Sequence, residues 1–550
     1  MQRFGRFALI VFELTLLTAL ILAARCANYQ DVFVAGNIYF VDADCYARMT
    51  RAQMVREKPG LIVRHHAFEN FPQGTTPHTT APLDYLIVVL SLFLNLFTTH
   101  ALDLAGAFVS PLLALLGGWF LWWWSVKFRY RWVMLILYAI SPILVHGTEL
   151  GRPDHQSLLI VLVTVAICAE WTLQSRQART SPMKSDWDGG RETAAPCLRL
   201  HAWSLTSAVA WALAIWVSAY EPLVLFLMLT ATALLVNHRA VFARDRRAGW
   251  ILFAAIIAIA FAIEWRVPSI PILQSNGHLK NWANTIGELA HVSPMNPVWL
   301  HWCGYLLLVT PVLIWMSVRM RKDGAPSPRR ASCGRALPVC VLLVATYLLT
   351  IWQARWAYFF VLIFALALPA LLAPISSSAA VWIAFVLSMF PILRDWDIRL
   401  WPNEAQLADR MERRIESAQI RDLSVSLRSP QVNPFLAAWW LSPSIAYWSG
   451  QPGVAGSSHE SLNGIDESAR FFLAEDPQKG REILEKRNVA WVLAYDSDRV
   501  AQNSAAVLNH ALPPRPLCRV LYQTPSQAPP FLIFSAQNPA CKLYRAAVER

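Results

Sequence analysis

Three short acidic segments of the sequence contain the residue types that metal-assisted phosphate chemistry requires. Each places carboxylates close to the end of an apolar run, where charge is costly and indicates function. The segments are Val41–Arg48, Gly147–Gln156 and Thr285–Glu288. Because Mg²⁺ and Mn²⁺ prefer hard oxygen ligands and bridge to phosphate, we predict a divalent metal bound by carboxylates of these segments. The predicted ligands are Asp42, Asp44, Asp154 and Glu288, and the alternative is that all three segments are ordinary solvated loops.

The elements that would position these segments are apolar helices. The chain has 550 residues, of which 55% are hydrophobic and 15% charged, whereas soluble domains have about 25% charged residues. This composition excludes a disordered chain, a collagen-like fibre and a small secreted scaffold. Eleven apolar runs are predicted to cross a membrane as helices: Phe7–Ala24, Asp103–Trp124, Trp132–His146, Ser157–Leu173, Ala202–Ala219, Pro222–Asn237, Trp250–Glu264, Val298–Val318, Leu337–Trp352, Trp356–Ala373 and Ala379–Leu393.

The basic residues of the loops alternate from one side to the other. The stretches 174–201, 238–248 and 319–336 hold five, four and six Lys or Arg, whereas the intervening loops hold at most two each. Basic loops remain cytoplasmic, so the acidic segments are predicted to lie on the outer face. This bias also accounts for the net charge of +12, and nucleic acid is not expected as a partner. If the apolar stretch Leu83–Phe97 crossed the membrane, every later loop would be predicted on the side opposite to the one that its basic residues indicate. We therefore place this stretch at the outer interface.

The chain is predicted to have two domains. Residues 1–393 form a transmembrane bundle and residues 394–550 form a soluble α/β domain on the outer face, so the fold class is mainly α with about 11 to 13 helices in the bundle. Within the second domain, Val489–Tyr495 is a strand candidate, and Ser449–Gly453 and Asn463–Gly464 are turn candidates. Cys518 and Cys541 also lie there, and the sequence leaves open whether they form a disulfide.

The order of the motifs resembles that of the GT-C glycosyltransferases. Among these, the chain is similar to the catalytic subunit of oligosaccharyltransferase of the single-subunit bacterial or archaeal type. Asp42–Arg48 resembles that family's acidic first-loop motif, in which the spacing to Arg48 matches Asp42 and the Asp-x-Tyr pattern matches Asp44. Gly151–Gln156 resembles the second-loop motif, and Thr285–Glu288 the Thr-Ile-x-Glu motif. Gln353–Phe359 resembles the segment whose Arg, here Arg355, meets the carrier diphosphate.

This resemblance implies a metal-dependent glycosyltransferase that uses a polyprenyl phosphate or diphosphate donor. Asp42, Asp44 and Glu288 are then the catalytic candidates, and Glu288 would also hold the acceptor amide. Arg355 and His155 would bind the donor, since a guanidinium can clamp a phosphate. The alternative for Arg355 is that it snorkels to the interface. The implied cofactor is Mg²⁺ or Mn²⁺, and the implied location is the cytoplasmic (inner) membrane with the C-terminal domain outside.

The outer domain departs from the family where the family reads its acceptor. The family has Trp-Trp-Asp-Tyr-Gly there, whereas Trp439 and Trp440 are followed by Leu441-Ser442-Pro443 in this chain. The two Trp are therefore acceptor-binding candidates, and the acceptor is a protein Asn, a lipid or a polysaccharide. A transporter or assembly scaffold is the alternative without enzyme activity. Against it, the sequence shows no inverted repeat, and its notable carboxylates lie in loops.

The first outer loop adds His65, His66 and Glu69 beside Phe71–Gly74 and His78. The family has a Pro and a Gly in this region, which implies a shaped loop under the sugar. The alternative, which we favour, is that the adjacent His residues are simply solvated.

Overall fold

A computed structural model of the protein describes residues 2–180, 195–266, 277–322 and 337–547. Helices dominate these residues, and a small sheet lies near the C-terminus. The predicted fold class, a helical bundle followed by an α/β part, is confirmed.

The apolar runs are largely helical. The helices up to Leu400 are Gln2–Arg25, Tyr29–Val32, Ala43–Glu57, Ala81–Leu94, Ala101–Trp124, Arg131–Ile140, Pro142–His146, His155–Thr180, Ala195–Val217, Glu221–Val241, Arg244–Glu264, Gly277–Ala283, Val298–Cys303, Leu306–Lys322, Leu337–Trp352, Ala357–Leu372, Ser378–Ser388 and Phe390–Leu400. Among the described residues, five helices are long and apolar enough to cross a membrane: Gly5–Arg25, Ala101–Trp124, His155–Ser175, Arg244–Glu264 and Ala354–Leu372. The chain is therefore a multi-pass membrane protein, while the number of eleven crossings stays a prediction.

Two of the predicted crossings are broken helices that pack against each other. Gly304, with φ of +73°, interrupts the run Val298–Val318. A Cβ at this position would lie 2.5 Å from the carbonyl oxygen of Ser388, so the close approach requires glycine. Ser388 ends a helix that bends by 43° into Phe390–Leu400. The amide of Tyr305 donates to the Ser388 carbonyl at 3.0 Å, so backbone groups freed by the breaks pair with each other.

The C-terminal part contains a four-stranded sheet beside short helices. In sequence order its strands are Phe435–Leu436, Trp491–Tyr495, Leu532–Gln537 and Cys541–Ala546. In space the order is first, second, fourth, third, with the first pair parallel and the other pairs antiparallel. The helices are Glu404–Val425, Ser442–Ser449, Leu462–Leu473, Pro477–Lys486, Ser497–Leu508 and Leu517–Gln523. The strand candidate Val489–Tyr495 is thereby confirmed.

One turn prediction in this part is wrong. Asn463 and Gly464 lie inside the helix Leu462–Leu473. A Cβ on Gly464 would overlap the carbonyl oxygen of Val454, so the glycine permits close packing and does not reverse the chain. Cys518 and Cys541, whose pairing the sequence left open, are both buried free thiols.

The C-terminal part packs on the helices Ala43–Glu57 and Ala101–Trp124. The ring centroids of Tyr46 and Trp448 lie 5.0 Å apart, and the hydroxyl of Tyr447 donates to Asp103. The helix Ala43–Glu57, which carries Asp44, therefore lies between the bundle and the C-terminal part. The predicted boundary between residues 393 and 394 falls within the helix Phe390–Leu400 and stays a prediction.

We expect Lys322 and the exposed Gln478 to lie on opposite sides of the membrane, because the distribution of basic residues places them there. A cysteine introduced at each site would be treated with a membrane-impermeant maleimide in right-side-out and inverted vesicles. Gln478→Cys should react only from outside and Lys322→Cys only from the cytoplasmic side. Wild-type protein is the control for native thiols. The reverse pattern would refute the predicted orientation.

Candidate active site

The first and third acidic segments meet at one buried arginine. Nη1 of Arg152 lies 2.9 Å from Oδ2 of Asp42, and its Nη2 lies 2.8 Å from Oε1 of Glu288. The hydroxyl of Tyr358 donates to the same Glu288 oxygen at 3.0 Å and lies 2.9 Å from Nδ1 of His146. A planar guanidinium presents several donors in a fixed fork, which suits such a bridge. Arg152 therefore joins carboxylates from distant parts of the chain.

The Asp42-Ala43-Asp44 segment lies at a helix N-terminus. Asp42 caps the helix Ala43–Glu57, and its carboxylate accepts from the Cys45 amide at 3.0 Å. The hydroxyl of Ser457 donates to Asp44 at 2.5 Å. The residue is exposed, but the surrounding protein and then the charge of Asp42 raise the pKa of Asp44, and the Ser457 hydrogen bond opposes this.

The second acidic segment turns at Gly151. Its φ is +76°, and a Cβ there would lie 2.7 Å from Val32. Beyond the turn, Asp154 Oδ1 lies 2.6 Å from Nδ1 of His155. Burial alone would raise the pKa of Asp154, but His155 and Arg152 hold that pKa well below its usual range. The buried Nε2 of His155 has no hydrogen-bond partner among the described residues.

Arg355 pairs with a buried acid. Its guanidinium forms an ion pair with Glu221, which is 0% exposed and accepts the Ser218 hydroxyl at 3.0 Å. Arg355 lies just before the helix Ala357–Leu372, whose N-terminus adds positive potential. Within the described part of the chain, Nε of Arg355 has no hydrogen-bond partner. Arg355 therefore retains a donor for an anion.

Side chains of the first two segments line a cleft with the first outer loop and the C-terminal part. The cleft encloses about 420 Å³, its open mouth included. Its polar lining includes Asp44, Arg48, Arg51, His66, Glu69, His78, Asp154, His155 and Ser457. This cleft brings together Asp44, Asp154 and His155 of the predicted site residues.

The favoured interpretation, that the adjacent His residues are solvated, is wrong for His66. His66 is 2% and Glu69 5% exposed, whereas His65 is exposed to solvent. Burial raises the pKa of Glu69 to about 8 and lowers the pKa of His66 to about 3. Both side chains are therefore mainly uncharged near pH 7.

The acidic segments fit a hard divalent cation by their donor atoms, because all four predicted ligands offer carboxylate oxygen. Asp44 and Asp154 line the cleft, so a cation there would meet them first. Asp42 and Glu288 are paired with Arg152 instead. Across the described residues, no three of these carboxylates bring ligand atoms within 4.8 Å of one another.

The two acceptor candidates lie in the C-terminal part, where Trp439 packs against Trp282 of the helix Gly277–Ala283. The ring centroid of Trp439 is 5.9 Å from that of Trp282, and its indole N–H donates to Asn503 at 2.7 Å. The N–H of Trp440 is buried without a hydrogen-bond partner in the described ranges, and Arg499 lies over its ring at 5.6 Å. Neither indole N–H is therefore presented to a peptide hydroxyl.

Sequence reasoning missed the partners of the predicted residues. These partners are His146, Arg152, Glu221, Tyr358 and Ser457. Arg152 and Tyr358 lie inside motifs already singled out, and Glu221 is an acid at the start of an apolar run, so each of them had a signal. Ser457 had none, since a lone loop Ser is unremarkable in a sequence.

Sequence comparison finds one distant relative among curated proteins. No family model matches the chain. Dolichyl-phosphooligosaccharide-protein glycotransferase 1 of Archaeoglobus fulgidus is 26% identical over 145 residues, a match that covers 26% of this chain and 24% of that protein. The sequence match thus spans about a quarter of each protein.

Structural comparison supports the fold. The archaeal oligosaccharyltransferase AglB from Archaeoglobus fulgidus, in complex with an inhibitory peptide and a dolichol-phosphate, matches with a TM-score of 0.65 at 15% identity, over 90% of this chain and 70% of that one. The Archaeoglobus fulgidus enzyme in complex with Zn and sulfate matches with 0.64 at 14% identity, over 96% and 72%. ArnT from Cupriavidus metallidurans, bound to undecaprenyl phosphate, matches with 0.56 at 14% identity, over 98% of each chain. The chain has the GT-C fold that its motifs predict.

Burial of Glu69 should make stability depend on pH. Its pKa is raised in the folded protein, so the stability that its protonated form contributes is full below the unfolded pKa and is lost as pH rises through about 8. The loss is on the order of 1 kcal/mol per pH unit between the unfolded and folded pKa values. Because Glu69→Gln removes this titration, the melting temperature of the variant in detergent, relative to wild type, should rise between about pH 5 and pH 9. The exposed Glu475→Gln is the control, and an unchanged difference across this range would contradict the prediction.

Proposed function

We propose that the chain is an integral membrane glycosyltransferase. It would move a sugar or oligosaccharide from a polyprenyl phosphate or diphosphate donor to an acceptor on the outer face of the cytoplasmic membrane. The observation that carries the proposal is the meeting of Asp44, Asp154 and His155 at one cleft, with Asp42 and Glu288 joined by Arg152. The fold supports it, because two similar structures hold dolichol-phosphate and undecaprenyl phosphate.

Arg355 is proposed to bind the donor phosphate, with His155 assisting. The guanidinium is positioned by Glu221 and has an unused Nε–H donor among its described contacts. Arg355 lies just before the N-terminus of the helix Ala357–Leu372. Positive groups fixed at this point stabilise the charge that develops on the leaving phosphate as the glycosidic bond breaks.

The acceptor must lose a proton to a carboxylate that a metal does not occupy. Asp42 and Glu288 meet this condition because both pair with Arg152, and general base catalysis is worth about 10²–10⁴-fold. Glu288, which also accepts a hydrogen bond from Tyr358, would hold the acceptor amide. Mg²⁺ or Mn²⁺ bound first by Asp44 and Asp154 would supply countercharge for the phosphate.

Amide substitutions test the carboxylates. Asp42→Asn, Asp44→Asn, Asp154→Asn and Glu288→Gln remove charge with little change of volume. Each should lower transfer from a labelled polyprenyl-linked glycan by at least about 100-fold, and EDTA should do the same to wild type. The matched control is Asp409→Asn, an exposed residue of the helix Glu404–Val425. Full turnover of the wild type in EDTA, or wild-type rates in Asp154→Asn and Glu288→Gln, would contradict the proposal.

A lipid or polysaccharide acceptor is the second candidate. The Leu441-Ser442-Pro443 segment lacks an acid, and the N–H of Trp439 already donates to Asn503. Both features weaken recognition of a sequon hydroxyl. Mass spectrometry of glycoproteins and glycolipids, from cells with and without the gene, distinguishes the two acceptor classes. A change in neither fraction would count against both.

Peptide acceptors should be discriminated poorly. We expect Asn-x-Thr and Asn-x-Ala peptides to differ by less than about tenfold in transfer, since one neutral hydrogen bond contributes about 0.5–1.5 kcal/mol. Trp439→Ala and Trp440→Ala should impair acceptor use more than donor binding, whereas the exposed Trp401→Ala should change neither. Strong, Trp-dependent preference for the Thr peptide would contradict this. Transfer to a lipid or saccharide alone would favour the second candidate.

A further inference from the structure

Two His residues and a Glu meet where the first outer loop touches the C-terminal part. His78 belongs to the loop, and His459 and Glu460 belong to the short helix His459–Ser461. Nδ1 of His78 lies 2.8 Å from Oε1 of Glu460, and the ring centroids of His78 and His459 lie 5.0 Å apart. One ligand atom from each side chain falls within 4.8 Å of the other two. In the described ranges, no other group of three His, Cys, Asp or Glu meets this test.

The chemistry of this group differs from that of the acidic segments. Two imidazoles with one carboxylate suit Zn²⁺ and its neighbours among the transition metals, whereas Mg²⁺ and Ca²⁺ prefer oxygen alone. Three protein ligands leave one position of a tetrahedral ion open. His78 also lines the cleft.

A second observation concerns His155. Its ring lies edge-on to that of His78, with the centroids 6.1 Å apart. Its Nδ1 is bound by Asp154, and its buried Nε2 has no hydrogen-bond partner in the part of the chain that the structure describes. A carboxylate that orients one ring nitrogen while the other remains available is the usual arrangement of a metal-binding His. A nitrogen of this kind beside the group points to a cation.

We propose that His78, His459 and Glu460 bind one Zn²⁺-class ion, with the ring of His155 next to that of His78. The ion is separate from the Mg²⁺ or Mn²⁺ proposed at the carboxylates. The bound ion would crosslink the first outer loop and the C-terminal part, because the loop supplies His78 and the C-terminal part supplies His459 and Glu460. The site does not depend on the proposed glycosyl transfer.

The test measures metal binding to the purified full-length protein in detergent. Protein stripped with a chelator and transferred to excess MgCl₂ is titrated with ZnCl₂ against a chromogenic chelator. Wild type should bind one equivalent that magnesium does not displace. His78→Ala, His459→Ala and Glu460→Gln should each weaken it by at least about 100-fold, because loss of a ligand exceeds the 10–100-fold effect of changing a residue that only supports a ligand. The exposed His510→Ala is the matched control and should bind like wild type.

The Glu460→Gln variant distinguishes a role of Glu460 in metal binding from a role as a hydrogen-bond acceptor for His78. Its amide oxygen can still accept from His78, so this variant should keep its fold, checked by gel filtration, and lose the metal. Asp44→Asn should keep the zinc equivalent, which distinguishes this site from the proposed catalytic metal. Zinc K-edge absorption should show nitrogen and oxygen ligands at about 2.0–2.2 Å, with imidazole scattering. Absence of a tight equivalent in wild type, or equal affinity in all three ligand variants, would overturn the proposal.

Discussion

A buried arginine between two carboxylates is the interaction on which the site depends. Arg152 is 4% exposed and bonds to both Asp42 and Glu288. Taking an ion out of water costs several kcal/mol, which is offset only where geometry and hydrogen bonding are good. Both Nη groups of Arg152 are paired with carboxylates, and the hydroxyl of Tyr358 donates to one of them. Because Arg152 belongs to the second acidic segment and its partners to the first and third, these two ion pairs connect all three segments.

The helix Ala357–Leu372 of the bundle positions two residues of the site. The helix Ala357–Leu372 has nearly all of its side chains buried, and Arg355 and Tyr358 lie at or just before its first turn. A helix that is apolar all round must be surrounded by other elements. The broken helices around Gly304 pack on it, and their freed backbone groups bond to Ser388. The irregular backbone is therefore confined to protein-packed positions, where hydrocarbon does not meet it.

The sequence predicted those features that depend on local composition. Apolar runs specify helices, and loop charge indicates which loops share a face, so Asp42, Asp154 and Glu288 could be expected near one another. Long-range partners are different, since nothing near Arg355 in the sequence indicates Glu221. Glu69 looks like a solvated loop residue until Gly456 of the C-terminal part packs against its carboxyl group. Gly464 looks like a turn residue because the carbonyl of Val454, which excludes a side chain there, comes from another segment.

The hydrogen bond between Ser457 and Asp44 joins residues that are synthesised at very different times. Translation proceeds from the N-terminus, so Asp44 is synthesised long before Ser457. Until the C-terminal part folds over the helix Ala43–Glu57, the cleft lacks one wall and Glu69 remains in contact with water. A ribosome-bound chain therefore carries its acidic segments without a closed cleft. The cleft is therefore complete only when translation has passed Ser457, which forms part of its lining.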